Sequence, residues 1–151
     1  MAVSLQSDRR YIYLADDDSD DRDFFTDAIR EVDPGVILKV ARDGMELIDN
    51  LLRLSPGELP DFIFLDINMP GKSGLECLEE IRNHKGGLKQ VHIIMLSTSS
   101  DPGNIQKARE MGAACYAVKP SSFEKLKSLL GEILGMDLIA GLQANRPFVF
   151  K

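Results

Sequence analysis

The sequence predicts an α/β domain in which a five-stranded parallel sheet carries helices on both faces. Two observations support this prediction. Five short apolar runs of strand length are spaced along the chain, and segments with helical periodicity lie between them. Most of the runs are continuously apolar rather than alternating in polarity, which is typical of parallel strands buried on both faces. The alternation of strand and helix therefore favours a doubly wound sheet.

The five predicted strands are short and mostly apolar. They are YIYLA at 11–15, VILKV at 36–40, FIFL at 62–65, VHIIML at 91–96 and CYAV at 115–118. Parallel strands need right-handed crossovers, which place the connecting helices on the two faces of the sheet. We expect the strand order 2-1-3-4-5, the flavodoxin-like order that is common among doubly wound sheets.

Helices are predicted where apolar residues repeat at the spacing of one helix face. Such stripes occur at residues 25–32, 43–54, 74–83, 103–112 and 123–134. Pro-Gly and Gly-Gly pairs fall at several joints between strands and helices, where the backbone has to turn. The predicted elements therefore have plausible ends as well as plausible interiors.

Length and charge limit the class of protein. The chain has 151 residues and a formal net charge of -6, which suits one compact domain and disfavours direct binding to nucleic acid or to an anionic membrane. No apolar run approaches the roughly 20 residues that span a bilayer, and the start, MAVSLQSDRR, lacks the apolar core of a signal peptide. We expect a cytoplasmic protein.

Cys77 and Cys115 are far apart in sequence and are interpreted as buried thiols.

The last residues exceed what five strand–helix units need. We assign residues 9–135 to the domain and 136–151, MDLIAGLQANRPFVFK, to a C-terminal tail. Apolar residues in the tail have near-helical spacing up to Pro147, which ends any helix. Two interpretations remain open: the tail packs on its own domain, or it contacts a second copy of the chain, as in a homodimer, or another partner.

Polar residues follow four of the five predicted strands. Asp16 and Asp17 follow the first, Asp66 the third, Ser97 and Thr98 the fourth, and Lys119 the fifth. Ligands of open parallel sheets bind at the carboxyl ends of the strands, so we expect these side chains to share one cleft. Carboxylates, hydroxyls and an ammonium, without His or Cys, favour a phosphate group and a hard cation. The number of carboxylates fits Mg²⁺ better than a Ca²⁺ cage.

Two other phosphate or metal motifs fail on their spacing. An EF-hand beginning at Asp16 would need glycine at Asp21 and a final glutamate at Asp27. The GKSG string at 71–74 invites comparison with a P-loop, but Asp66 stands where the first glycine is required. Neither motif is therefore predicted.

The remaining acidic residues near the first strand have a simpler interpretation. Asp18, Asp20 and Asp21 are expected to cap a helix that begins near Ser19, because negative charge is favourable at a helix N-terminus. Ser73 is expected to cap the helix after the third strand in the same way.

Together, these residues closely resemble the receiver domain of two-component response regulators, over about residues 9–135. The resemblance implies that Asp66 accepts a phosphoryl group from a sensor histidine kinase or a histidine phosphotransfer protein. It also implies that Asp17 and Asp66 bind Mg²⁺ directly, that Asp16 acts mainly through water, and that the Asn68 backbone carbonyl completes the protein ligands.

The resemblance assigns the residues after the last two strands as well. It implies that Lys119 pairs with the phosphoryl group and that the Lys119–Pro120 bond is cis. Ser97 corresponds to a switch hydroxyl and Tyr116 to an aromatic residue that moves inward behind it, although an ordinary strand aromatic remains open for Tyr116. Serine replaces the commoner threonine at 97, and Thr98 leaves open which hydroxyl acts.

The segment STSSDPGNI and the tail resemble stand-alone, chemotaxis-Y-like receivers associated with bacterial phytochromes, which lack an output domain. On this reading the protein is not an enzyme but a phosphorylation-controlled switch that reshapes the face of the fourth helix, fifth strand and fifth helix. A small Mg²⁺-dependent phosphohydrolase is one alternative, but Asn68 breaks its usual DxD pattern. An unphosphorylated scaffold is another, and the retention of Asp17, Asp66 and Lys119 argues against it.

Overall fold

A computed structural model describes residues 9–84, 86–135 and 147–151. Within these ranges the strands are β1 Tyr11–Ala15, β2 Ile37–Ala41, β3 Phe62–Asp66, β4 His92–Ser97, β5 Cys115–Val118 and β6 Val149–Phe150. The α-helices are α1 Ser19–Val32, α2 Gly44–Leu52, α3 Gly74–Asn83, α4 Pro102–Glu110 and α5 Phe123–Leu134. Short 3₁₀ turns lie at Pro56–Glu58 and Gly87–Gln90. None of the helices in the described ranges is long and apolar enough to cross a membrane.

The strands form one parallel sheet in the order β2-β1-β3-β4-β5-β6. The predicted α/β class, with the flavodoxin-like order 2-1-3-4-5, is confirmed over the first five strands. The sixth strand is a two-residue addition that the sequence did not predict. The predicted bounds of β1 and β5 are those of the structure, and the other strands differ by one residue at their ends.

Two apolar clusters lie on opposite faces of the sheet. Side chains of α2, α3 and α4, such as Leu47 and Leu78, pack on one face. Side chains of α1 and α5, such as Ile29 and Leu130, pack on the other. All five residues of β3 are buried because this strand lies between two neighbours and beneath helices on both sides. The continuous apolar runs in the sequence reflect this double coverage.

β2 departs from that pattern because it forms an edge of the sheet. Ile37 and Val40 are 37% and 43% exposed, although the sequence predicted a strand covered on both faces. An edge strand has a neighbour on one side alone, so helix coverage ends before it reaches these side chains.

Asp18 and Ser73 cap helices as the sequence predicted, whereas Asp20 and Asp21, which were also predicted to cap α1, lie in its first turn. Asp18 caps α1, and its carboxylate accepts the backbone N–H groups of Asp20 and Asp21. Ser73 caps α3 by accepting the N–H of Glu76 at 3.2 Å, while the Glu76 carboxylate accepts the N–H of Ser73 at 2.8 Å. These reciprocal bonds satisfy donors that the first turn would otherwise leave without partners.

The described end of the tail packs on the sheet. Val149–Phe150 pairs with β5, the N–H of Tyr116 donates to the Phe148 carbonyl at 2.8 Å, and Phe150 is buried on the α1–α5 face. Residues 136–146 lie outside the described ranges, and so does the predicted helical part of the tail. The boundary at residue 135 and a contact with a second copy of the chain stay predictions.

Candidate functional site

The carboxyl ends of the central strands bring the predicted polar residues together. Ala15 lies opposite Leu65, so the next residue, Asp16, continues to the level of Asp66. Ser97 lies one position further along β4, opposite Val118. Asp16, Asp66 and Ser97 are all buried, with exposures of 2%, 5% and 0%. Burial of polar groups at one edge of an apolar sheet indicates a functional site.

The loop after β3 fits tightly against this edge. A Cβ atom at Gly74 would lie 2.2 Å from the carbonyl oxygen of Asp66, and the Gly74 N–H donates to the Ile67 carbonyl at 2.9 Å. Gly71 has a φ of +79°, which favours glycine. These glycines allow the first residue of α3 to approach the end of β3 closely and so fix the loop that contains Asn68.

Three carboxylates form a compact acidic cluster. Ligand oxygens of Asp16, Asp17 and Asp66 all lie within 4.8 Å of one another. Asp16 and Asp66 are buried, whereas Asp17 is exposed to solvent. Like charges at this separation repel unless a cation is shared between them. The oxygen donors fit a hard divalent cation such as Mg²⁺, which takes one or two carboxylates together with water.

Lys119 supplies positive charge at the same place. Its Nζ donates to Asp16 Oδ2 at 2.8 Å, to Asp21 Oδ2 at 3.0 Å and to Asp66 Oδ2 at 3.3 Å. An ammonium has three donors, so each has a carboxylate acceptor. Burial would lower the pKa of Lys119, but the hydrogen bond with Asp16 and the charges of Asp66 and Asp16 raise it above its ordinary value.

Asp66 holds its charge less easily. Burial is the main cause that raises the pKa of Asp66 to about 6 from an ordinary 3.8; the charge of Lys119 opposes this rise and the charge of Asp16 adds to it. Asp66 Oδ1 also accepts the backbone N–H of Asn68 at 3.2 Å. A bound cation would therefore relieve a cost that the protein groups leave partly uncompensated.

The predicted hydroxyl and aromatic residues meet in the loop after β4. Ser97 Oγ accepts the N–H of Ser99 at 3.0 Å, and the Tyr116 hydroxyl donates to the Ser99 carbonyl at 2.7 Å. Tyr116 is fully buried, whereas Thr98 is exposed. Ser97 and Tyr116 thus both form hydrogen bonds with the backbone of Ser99, in the loop after β4.

The prediction that the Lys119–Pro120 bond is cis was wrong, because every described peptide bond is trans. Sequence reasoning also missed a contact of Asp21. This residue was assigned to the helix cap, yet its side chain binds Lys119. No local spacing indicates this contact, because Asp21 lies in the first turn of α1 and Lys119 follows β5.

A cavity of about 400 Å³ opens beside the acidic cluster. Its polar side includes Asp16, Asp20, Asp21 and Lys119, and its apolar wall includes Phe24, Phe25, Leu96, Pro120 and Leu126. The site is therefore open on this side, and Lys119 lies at the boundary between the cavity and the carboxylates.

Comparison with solved structures agrees with the fold. The phosphorylated cyanobacterial phytochrome response regulator RcpA is 27% identical, with a TM-score of 0.77 over 87% of this chain and 96% of RcpA. The Mn²⁺-bound response regulator Rcp1 is 26% identical, with a TM-score of 0.73 over 86% of this chain and 95% of Rcp1.

Comparison of sequences identifies the family. The transcriptional regulatory protein MalR of Bacillus subtilis is 40% identical over 72 residues, which are 48% of this chain and 29% of MalR. The chain spans less than a third of the length of MalR and of two further curated relatives. Residues 12–131 match the family model of the response regulator receiver domain. Since this match covers most of the chain and the fold agrees with it, the chain belongs to the receiver-domain family of two-component response regulators.

Proposed function

We propose that the chain takes a phosphoryl group onto Asp66 from a sensor histidine kinase or a histidine phosphotransfer protein, with Mg²⁺ as cofactor. One observation carries the proposal. The Asp66 carboxylate lies in a cluster with Asp16 and Asp17, and the Lys119 ammonium is 3.3 Å from its Oδ2. This arrangement provides a nucleophile, a place for a divalent cation and a fixed positive charge at one edge of the sheet.

The proposed transfer is a single displacement at phosphorus. A carboxylate oxygen of Asp66 forms a P–O bond while the P–N bond of phosphohistidine breaks. The electron pair of that bond stays on the imidazole, whose other nitrogen keeps its proton, so a neutral histidine leaves. The products are an aspartyl phosphate and the unmodified donor.

The neighbouring residues have separate roles in this proposal. Asp17 and Asp66 would hold Mg²⁺ directly, Asp16 mainly through water, and the Asn68 backbone carbonyl would complete the protein ligands. The bound cation would neutralise charge on the phosphoryl oxygens. Lys119 would exchange its bond to Asp66 Oδ2 for a bond to a phosphoryl oxygen, as a charge-assisted hydrogen bond.

The switch would begin at the loop after β4. When a phosphoryl oxygen is present, the Ser97 hydroxyl, or that of Thr98, gains an acceptor and turns towards it. Ser97 Oγ holds the N–H of Ser99, and Tyr116 binds the carbonyl of the same residue, so movement of this loop alters both contacts. The affected face is that of α4, β5 and α5, with β6 lying along β5.

We regard the protein as a phosphoacceptor that assists its own phosphorylation and dephosphorylation rather than as an enzyme with a separate substrate.

Incubation with acetyl phosphate and Mg²⁺ should add one phosphoryl group to the intact chain, measured by mass spectrometry. Chelation of Mg²⁺ and the Asp66→Asn substitution should each abolish this gain. Asp27→Asn is a matched control, because Asp27 is exposed on α1 and belongs to no part of the cluster. An unchanged mass of the wild-type protein would contradict the proposal.

A further inference from the structure

The carboxylate of Asp21 has a contact that a capping role does not explain. Its Oδ2 lies 3.0 Å from Lys119 Nζ, although 98 residues separate the two in sequence. Asp20, the preceding residue on the same turn, has its own N–H bound to Asp18 and contributes negative charge at the same helix end. The ion pairs of Lys119 include Asp21 but not Asp20. The two adjacent acids therefore share the helix cap and differ in their contact with the site.

The three acceptors of Lys119 differ in what else they do. Asp16 and Asp66 belong to the acidic cluster, while Asp21 does not. Under the proposed function, a cation engages Asp16 and Asp66, and the phosphoryl group occupies a carboxylate oxygen of Asp66. Asp21 is then the one acceptor of Lys119 with no other demand on its charge. The Asp21–Lys119 bond can persist through the transfer.

A second observation shows why Lys119 needs an anchor. Its side chain has four flexible carbons, and it borders the cavity of about 400 Å³, so space is available into which the ammonium could swing. Its backbone is fixed, because the N–H of Lys119 donates to the Ser97 carbonyl at 2.8 Å. Restraint of the charged end must come from the side-chain acceptors, and Asp21 lies on the cavity wall beside it.

Asp21 is itself held in place by the start of α1. Asp16 Oδ1 accepts the N–H of Asp18 at 3.0 Å, and Asp18 Oδ1 accepts the N–H of Asp21 at 3.1 Å. These two bonds connect the acidic cluster to the first turn of the helix. The backbone of Asp21 is therefore held in a fixed position relative to the acidic cluster.

We propose that Asp21 is a positioning residue, which holds the ammonium of Lys119 at the phosphoryl site through an ion pair on the wall of the cavity. The inference rests on the proposed function, because it assigns Asp21 a part in the same transfer. Asp21 is 46% exposed at its side chain, so the effect of this ion pair is expected to be modest.

The test compares phosphorylation rates of Asp21→Ala and Asp20→Ala with acetyl phosphate at saturating Mg²⁺. Asp21→Ala should slow the reaction by about three- to tenfold, whereas Asp20→Ala should leave it within about twofold of the wild type. Asp21→Asn should recover part of the rate, since its amide oxygen can accept the same hydrogen bond. Equal rates for the two alanine variants, or an Asp21→Ala rate at or above the wild-type rate, would overturn the inference.

Two further measurements separate positioning from a structural effect. Calorimetric titration should give the same Mg²⁺ affinity for Asp21→Ala and wild type, because Asp21 lies outside the acidic cluster. In a Lys119→Gln background, which removes the charged group that Asp21 binds, Asp21→Ala should lose most of its effect on the rate. A lower Mg²⁺ affinity, or an undiminished effect in that background, would overturn it. If the wild type itself gains no phosphate, the proposed function fails first; if only the Asp21 comparison fails, the function stands.

Discussion

The interior of the sheet and its carboxyl edge are formed by the same strands, but burial has opposite effects on the stability of the fold in the two regions. In β3, Ile63, Phe64 and Leu65 are fully buried and apolar, and the next residue is Asp66, which is almost as deeply buried. Removing the apolar side chains from water stabilises the fold. Burial of the carboxylate opposes it, as the raised pKa of Asp66 indicates. The candidate site at the carboxyl edge therefore lowers the stability of the fold, and burial of the apolar interior offsets this cost.

The largest change in the free energy of unfolding is expected from a substitution in the interior of the sheet. Phe64 is fully buried and packs edge-to-face on Phe25, at 5.0 Å between ring centroids. Phe64→Ala should lower the free energy of unfolding by about 3–5 kcal/mol, since it leaves a cavity in a closely packed core. Chemical denaturation measures this change. Phe64→Leu should cost less, and a loss below about 1 kcal/mol for alanine would contradict the described packing.

A substitution at the edge should have the opposite sign. Asp66→Asn keeps the shape of the side chain and removes a buried charge whose pKa is raised to about 6. In metal-free protein at neutral pH, we expect it to increase the free energy of unfolding by about 1–3 kcal/mol. Thermal or chemical unfolding in the presence of a chelator measures the change. Destabilisation by Asp66→Asn under these conditions would mean that the carboxylate is fully compensated by Lys119.

The difference between wild type and Asp66→Asn should also depend on pH. Because the folded state binds the Asp66 proton more tightly than the unfolded chain, its contribution to stability is complete below the ordinary pKa of 3.8 and is lost as the pH rises through about 6. The gain from Asp66→Asn should therefore shrink as the pH falls from 7 towards 4.5. Denaturation at several pH values, with chelator present, follows this trend, and a gain that grows towards acid pH would have the wrong sign.

Much of the fold was predictable because local and global signals agree. The runs YIYLA and CYAV are strands with the predicted bounds, since each is an apolar run that ends at a charged residue, Asp16 or Lys119. The gathering of Asp16, Asp17 and Asp66 also followed from sequence, because each comes at the end of a strand and parallel strands end at one edge. The roles of these residues in phosphotransfer stay predictions.

Other features depend on contacts that no local pattern contains. The Asp21–Lys119 pair joins two elements through space, and a capping position gives no sign of it. β6 has two residues, too few for a periodic signal, and it forms because the edge of β5 offers unpaired backbone groups. The exposure of Ile37 likewise follows from the edge position of β2 rather than from its own residues.

The most direct measurement locates the phosphoryl group on the chain. Borohydride reduces an acyl phosphate to an alcohol, which converts a phosphorylated aspartate into homoserine. After incubation with acetyl phosphate and Mg²⁺, reduction and peptide mass spectrometry should find homoserine at position 66 and aspartate at positions 16, 17 and 21. Homoserine at one of those neighbours, or intact aspartate at 66 in protein that has gained the phosphate, would contradict the assignment of Asp66 as the phosphoacceptor.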